Sequence, residues 1–471
     1  MKSWYLPVFA VIILVSSVIA QNEALAYTGT PFKMTSSPLA QFKSGTSVDK
    51  IVCLQNFMLV IKTADGYPAC VKSQTAHILV NRSWGTISTH QNTLVVQDPS
   101  DANNMFALAF LSKISQQDKG NIFFSPYSIS NAFSMVYEGA QGSTADEMQS
   151  VFHFIQDSTA RKNYVEQINS MLNDPSQQYK LDVANALWIQ NDYPVLQTYK
   201  DTLKQFYMAN ATNLDLKNDS ENSRKIINTW VENKTNQKIV DLLPEGSINQ
   251  DTRFVLTNAI YFKGNWTNQF EAQGTSNQNF TTSESKIVKT SMMTTTASFP
   301  YFEDDTIQVL KMPYQGGHLS MMVLLPKSND LRSLENSLSV EKLQKWNGNM
   351  TTEPVTVYMP KFSLDTKYIL NDYLPSMGMP SAFSPNDADF TGISQTKDFS
   401  ISTAVHQAFV KVDEKGTEAA AATGAVFQTT AMPLSKYTFR ADHPFVFMIY
   451  DDQTGLVLFM GQVVNPVGIT P

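Results

Sequence analysis

Charge is scarce in this chain. Asp, Glu, Lys and Arg make up 16% of its 471 residues, against roughly 25% in a typical soluble protein. Acidic residues outnumber basic ones, 42 to 35, for a net charge of −7. That balance argues against a general nucleic-acid binder, which wants a basic face. Cysteine is scarcer still, with Cys53 and Cys70 alone. Local enzyme signatures are missing: there is no Gly-X-Ser-X-Gly elbow, no His-Glu-X-X-His and no Gly-X4-Gly-Lys-Ser/Thr. The six histidines offer no pair at metal-ligand spacing on one helix face. No metal, no cofactor and no catalytic activity are therefore expected. A serine hydrolase assembled from distant residues is the remaining enzyme hypothesis, and a fluorophosphonate probe would reveal it. Apolar residues are plentiful at 42%, enough for a large core.

Trp4–Ala20 is an uncharged apolar run behind Lys2. Small-residue sites follow at Val18-Ile19-Ala20 and Ala24-Leu25-Ala26, so residues 1–26 read as a signal peptide cleaved after Ala20 or Ala26. If uncleaved, the leader would instead be a membrane anchor. A secreted, extracellular protein is expected. Seven Asn-X-Ser/Thr sequons (Asn81, Asn210, Asn218, Asn233, Asn265, Asn279 and Asn349) fit a glycoprotein if the host modifies exported chains. In an oxidising compartment Cys53 and Cys70 should pair, closing a short loop worth ~3 kcal/mol. The alternative is half of a metal site.

Residues 27–98 divide into a Ser/Thr/Gly-rich linker, Tyr27–Val48, and a compact Cys-pair stretch. Strands are expected at Ile51–Leu54 and Phe57–Ile61, a turn at Ala64-Asp65-Gly66, and a short helix from Thr75 through Val80. This stretch resembles a small Cys-pair module of exported archaeal proteins. From about Asp98 onward, helical and strand patterns alternate without an internal repeat. Asn103–Ile114 and Ser128–Tyr137 read as helices. Phe254–Phe262, Leu319–Leu325, Pro354–Met359 and Phe445–Tyr450 read as strands. Such a mixture argues for an α+β fold.

The segment Glu414–Met432 has no proline, small side chains and little charge after Lys415 except Glu418. It reads either as a short alanine helix capped by Thr417 and ended by Gly424, or as a loop able to join a sheet as a central strand. In the second reading Thr417, Ala419, Ala421, Thr423 and Ala425 face one side, and Gly416 is a hinge without a Cβ.

Here the sequence resembles the serpins, over roughly residues 99–468. Asn121–Ser130 (NIFFSPYSIS) with Gly139-Ala140, Thr257–Trp266 (TNAIYFKGNW), Val405–Ala408 (VHQA), and His443–Phe447 (HPFVF) with Phe459–Pro466 (FMGQVVNP) carry the likeness. The resemblance implies one domain of three β-sheets and eight to nine helices. It also implies an exposed reactive-centre loop at about 414–436. Such a protein is a suicide substrate: a serine protease cuts the loop, forms an acyl-enzyme, and is trapped as the loop inserts into the central sheet. Ser125, Ser128, Asn258 and His406 would form the shutter beneath the point where that sheet opens; ordinary caps and core polar groups are the plainer reading. Trp266 would mark the breach at the top of the sheet. Glu414 would pair there with Lys289. The hinge Glu414, Gly416, Thr417, Glu418, Ala419, Ala420, Ala421 and Ala422 matches the inhibitory type. On insertion, Thr417 would be the first side chain buried. Family loop length places the reactive bond at Thr430–Ala431, with Thr429 or Met432 as alternative residues before the cut. A small residue there implies an elastase-like or subtilisin-like serine protease as covalent partner. The protein is expected to be a monomer. No glycosaminoglycan is expected, because the helix near Ala160–Leu172 offers only Arg161 and Lys162. The alternative function is a non-inhibitory serpin-fold binding or carrier protein.

Overall fold

The computed structural model describes residues 38–43, 47–48, 51–53, 57–88, 92–93, 98–174, 177–396, 399–417 and 435–467. The leader and both of its cleavage sites lie outside the described residues. The chain forms two compact units, Met1–Val95 and Val96–Pro471.

In the first unit Phe57–Lys62 pairs antiparallel with Pro68–Lys72 and with Gly85–Ile87. A helix over Ser73–Asn81 begins two residues before the expected cap at Thr75. A further helix at Pro38–Lys43 lies within the expected linker. Cys53 and Cys70 are disulfide-bonded, with Cα atoms 5.5 Å apart, so neither thiol is available to a metal. Buried Ile51, Cys53 and Leu59 form a core too small to dominate the stability of such a unit.

Among the described residues, the second unit holds nine α-helices. Helix starts follow side-chain chemistry. Asp98 caps Pro99–Gln117 by accepting the Ser100 N–H, and Asp157 caps Ser158–Leu172 through Thr159 and Ala160. Ser125 caps Pro126–Tyr137, with proline at the first helical position where no N–H is needed.

The central sheet has six strands: β1 (Tyr179–Gln190), β2 (Ala211–Leu214), β3 (Phe254–Asn265), β4 (Phe362–Ile369), β5 (Thr403–Asp413) and β6 (Gly416–Thr417). Their order is β4-β5-β6-β3-β1-β2. Most of β3 is buried on both faces, which its near-continuous apolar run Phe254–Phe262 requires. β5 lies parallel to β3 from Thr403 opposite Val255 to Phe409 opposite Tyr261. Beyond that point the two strands part, and β6 sits between them.

Among the described residues, nine further strands of this unit are hydrogen-bonded together, eight along one path and Ser276–Thr281 off it. The 17-residue strand Ile287–Glu303 belongs to two sheets at once: its first part pairs with Ser276–Thr281 and Thr351–Pro360, its end with Ile307–Pro313. With the central sheet this makes the three expected sheets. Phe262, Tyr314, Phe447, Phe459 and Val412 share one core between them.

Candidate functional site: the opening of the central sheet

Two clusters flank the line along which β3 and β5 first pair and then part around β6. The lower one is polar and fully buried. Ser125 and Ser128 stand at the start of helix Pro126–Tyr137, Asn258 on β3 and His406 on β5, where Asn258 and His406 are direct register partners. All four side chains have no exposure. The Ser125 N–H donates to His406 Nε2 at 3.1 Å. Nε2 is thus an acceptor, and Nδ1 carries the proton that it donates to Asn258 Oδ1. Asn258 Nδ2 donates to the Ser128 carbonyl at 2.9 Å and to the hydroxyl at 2.5 Å. Ser125 Oγ donates to the Leu458 carbonyl at 2.6 Å and accepts the Ser128 N–H at 3.0 Å. The cluster therefore ties β3, β5, one helix and the strand Val457–Val463 together. Asn185 on β1 is a member that the sequence did not reveal: Asn258 and Ser128 both donate to its Oδ1.

Burial pushes the His406 ring down to about 3 from an ordinary value of 6.5. The unfolded chain takes up a proton below about 6.5, the native one only near 3. Between those values the unfolded state binds more protons, so this contribution is complete above pH 6.5 and each unit lost below it costs about 1.4 kcal/mol. His153, also pushed down by burial, to about 4, acts with the same sign. Stability measured by denaturant titration should fall as pH drops from 7 to 4, and the slope should shrink in His406→Gln.

The upper cluster surrounds the entry to the sheet. Trp266 is buried and stacks on Tyr314 at 4.5 Å between ring centres. Its indole N–H donates to the Asp413 carbonyl at 3.0 Å and its backbone N–H to the Lys415 carbonyl at 2.8 Å. The turn from β5 into β6 is closed by the Lys415 N–H on Asp413 Oδ1. Thr417 is wholly buried, opposite Val412 of β5 and Gly264 of β3, with its hydroxyl 2.6 Å from the Tyr314 hydroxyl. Thr417 is thus a strand residue, and the residues of the expected helix beyond it lie outside the described residues. Its side chain needs no insertion to become buried, for it is already buried before any cut. Gly416 is tightly enclosed: a Cβ there would collide with the Gly264 carbonyl and lie 2.7 Å from Asn265 Cα.

The expected pairing of Glu414 with Lys289 is corrected by the structure. Glu414 accepts from Lys361 Nζ at 2.7 Å and from Thr275 Oγ1 at 2.9 Å. Burial opposes the charge on Glu414, yet these bonds hold its carboxyl below the usual range. Lys289 is exposed and faces Asn279 across a hairpin. Lys361 takes the place because Phe362, the next residue, is the register partner of Val412, which sets the start of β4 beside the end of β5 that leads into Glu414.

Glu418, Ala419, Ala420, Ala421, Ala422, Thr430 and Ala431 lie outside the described residues. The two bases of helix Ser158–Leu172 are both engaged by Glu138, at 2.8 Å from Arg161 and 3.1 Å from Lys162.

The family model described as "Serpin (serine protease inhibitor)" matches residues 101–466. An uncharacterized serpin-like protein of Methanosarcina acetivorans is 40% identical over 370 residues, 78% of this chain and 86% of the relative. Leukocyte elastase inhibitor A of Mus musculus is 39% identical over 379 residues, 78% of this chain and 99% of the relative. Among solved structures, uncleaved ovalbumin matches with a TM-score of 0.71 at 30% identity, over 78% of this chain and all of that one. Thyroxine-binding globulin with bound thyroxine matches with a TM-score of 0.72 at 30% identity, over 79% of this chain and 99% of that one.

Proposed function

The chain belongs to the serpin family, and from that premise we propose that it is an exported suicide-substrate inhibitor of serine proteases. The observation that carries this reading is the hinge. Gly416 and Thr417 already occupy the gap between β5 and β3, and the residues next in the chain are Glu418 and four alanines. Small side chains can pass into a sheet interior where bulk or unpaired charge cannot.

In this mechanism the protease serine attacks the Thr430 carbonyl. The Thr430–Ala431 bond breaks, Ala431 leaves as a new amino terminus, and Thr430 stays as an ester on the enzyme. The freed loop then zips between β5 and β3, gaining backbone hydrogen bonds on both sides. Dragging the protease along distorts its active site, and each ~1.4 kcal/mol added to the deacylation barrier slows release tenfold.

The target is read from the residues at the cut. Threonine suits a small primary pocket, and no Lys or Arg lies between Lys415 and Lys436 for a trypsin-like one. A misfitted pocket group is worth ~1–3 kcal/mol. Elastase-like or subtilisin-like enzymes are the expected targets, and a relative named for leukocyte elastase supports the former. The test is incubation with elastase, subtilisin and trypsin. SDS-stable complexes are expected with the first two, and mass spectrometry should find a released C-terminal peptide beginning at Ala431. A peptide beginning at Pro433 would move the bond to Met432 and the target toward chymotrypsin-like enzymes. Loop cleavage with no covalent complex from any protease would favour a carrier role instead, the reading to which the likeness to thyroxine-binding globulin points.

Export is supported by the Cys53–Cys70 disulfide, a bond that persists in oxidising compartments. A mature chain starting at Gln21 or Tyr27 is expected on N-terminal sequencing. A chain starting at Met1 would favour the anchored form.

A further inference from the structure

A cavity of about 60 Å³ lies between three helices, Pro99–Gln117, Pro126–Tyr137 and Ser158–Leu172. Phe152, Val165 and Leu456 line it and are buried; Phe154 and Tyr164 line it and are half-buried. A single water needs about 10–15 Å³, so the space admits several atoms but nothing of drug size. Three polar side chains share this wall, and each holds an oxygen without a hydrogen-bond partner: Asn103 Oδ1, Ser130 Oγ and Asn131 Oδ1. Among the described residues only ten buried side-chain atoms lack a partner, so three beside one cavity is a concentration. Asn103 and Asn131 are each 7% exposed, too little for bulk water to satisfy them. The Asn103 amide is held in one orientation, because its Nδ2 donates to the Val457 carbonyl at 2.9 Å and to Asn104 Oδ1 at 3.3 Å. Its Oδ1 can only accept. Arg161 also lines the cavity, but its guanidinium is committed. Nε and Nη2 donate to Glu138 Oε1 at 3.0 and 2.8 Å, and Nη1 donates to the Ile155 carbonyl at 2.6 Å.

We propose that this cavity binds a compact neutral molecule with an apolar body and a hydroxyl or N–H donor, of the chemical class of phenol, and that binding there braces the helix that carries Ser125 and Ser128. The rings of Phe152, Phe154 and Tyr164 suit a flat apolar body. The three oxygens require the donor. Charge is excluded in both signs. An anion would meet only a guanidinium already bonded to Glu138, and a cation only the Glu138 carboxylate that Arg161 and Lys162 already share. A buried charge without a partner is strongly disfavoured. A site that supplies acceptors also rejects an analogue without a donor, because its own oxygens then stay unpaired. Ser130 and Asn131 lie on helix Pro126–Tyr137 within one turn of Ser128, whose hydroxyl and carbonyl both accept from Asn258. A guest held by that helix and its two neighbours ties the three together, and a molecule that binds the native form alone stabilises it by mass action. The site stands apart from the inhibitory reading, and its test needs no protease.

The full chain is titrated by calorimetry with phenol and, separately, with benzene, which has the ring and no donor. Wild type, Asn131→Leu and Ser130→Ala are compared. In wild type one phenol should bind per chain, about tenfold or more tighter than benzene. Asn131→Leu keeps the branched shape of the amide and removes an oxygen, so phenol should weaken by about threefold or more while benzene binds as well or better. Ser130→Ala gives the same reading should Asn131→Leu fail to fold. No saturable binding of phenol, equal affinities for phenol and benzene in wild type, or an unchanged phenol affinity in the folded variants would overturn the site. The brace is read separately. Warmed at one fixed temperature, wild type saturated with phenol should lose monomer about threefold or more slowly than without it. Asn131→Leu at the same phenol concentration should gain less. Binding of phenol to wild type with no change in the rate of monomer loss would overturn the brace.

Discussion

On the proposed mechanism, replacing Thr417 by arginine is expected to turn the protein from an inhibitor into a substrate. Thr417 has no exposure, and its neighbours are Val412, Gly264 and the hydroxyl of Tyr314. A guanidinium in that place has no anion to meet, and an uncompensated buried charge costs about 3–5 kcal/mol. The cost falls on the native state as well as on the inserted one, because the site is occupied before any cut. Gly416 and Thr417 should therefore withdraw from between β5 and β3, and insertion should have to start against the same penalty. Deacylation then wins the race. The number of inhibitor molecules consumed per protease inactivated should rise at least tenfold, since ~1.4 kcal/mol on one branch is a factor of ten. Thr417→Ser keeps the hydroxyl toward Tyr314 and should remain an inhibitor. Covalent complexes at wild-type stoichiometry from Thr417→Arg would sink the insertion mechanism for this protein.

Asn258→Ala is expected to release the lower latch. The substitution strips the His406 Nδ1–H of its acceptor and removes the amide that three oxygens on Ser128 and Asn185 share. Unsatisfied buried groups cost about 1–3 kcal/mol each, so a loss of about 2–4 kcal/mol is reasonable after relaxation. The kinetic effect should be larger than the thermodynamic one. Asn258 and His406 are the register pair that joins the two strands which must separate. On the proposed mechanism the native form persists because of a barrier, and lifetimes follow barriers. Warmed at one fixed temperature, the variant should lose monomer at least ten times faster than wild type, as followed by size-exclusion chromatography. A loss of monomer at the wild-type rate would show that this cluster does not hold the sheet shut.

Much of the lower cluster was legible because its residues sit in distinctive local runs. Ser125 and Ser128 lie in NIFFSPYSIS, Asn258 in TNAIYFKGNW and His406 in VHQA, runs that carry the resemblance to the serpins, whereas local pattern alone reads them as caps and core polar groups. Asn185 lies in Tyr179–Gln190, whose burial mixes both faces, and nothing local sets it apart from a surface asparagine. Tyr314 and Lys361 are similar cases. Tyr314 becomes the partner of Thr417 through an isolated bridge to Trp266, a contact between segments some fifty residues apart. Lys361 reaches Glu414 because β4 starts at the level where β5 ends, a matter of register that no single segment encodes. The error over Lys289 has the same origin. Lys289 lies on the strand Ile287–Glu303, two residues before Ser291, whose carbonyl accepts the Lys361 N–H, whereas Lys361 itself follows a different strand, Thr351–Pro360. The early burial of Thr417 was also hidden, since composition tells which side chains can enter a sheet and not how far they have gone.

The seating of Gly416 and Thr417 bears on how insertion begins. Ordering the first contacts of a structure is the costly part of a cooperative process, and each later unit adds bonds at a smaller price. On the proposed mechanism, two residues already hydrogen-bonded to both flanking strands mean that nucleation precedes the cut, which would leave only propagation to be completed. The delay before trapping should then depend on the length and side chains of the segment still to be threaded, with no lag for finding the entrance. On that mechanism the protein keeps a zipper with its first teeth engaged, and cleavage would supply only the slack that lets it run.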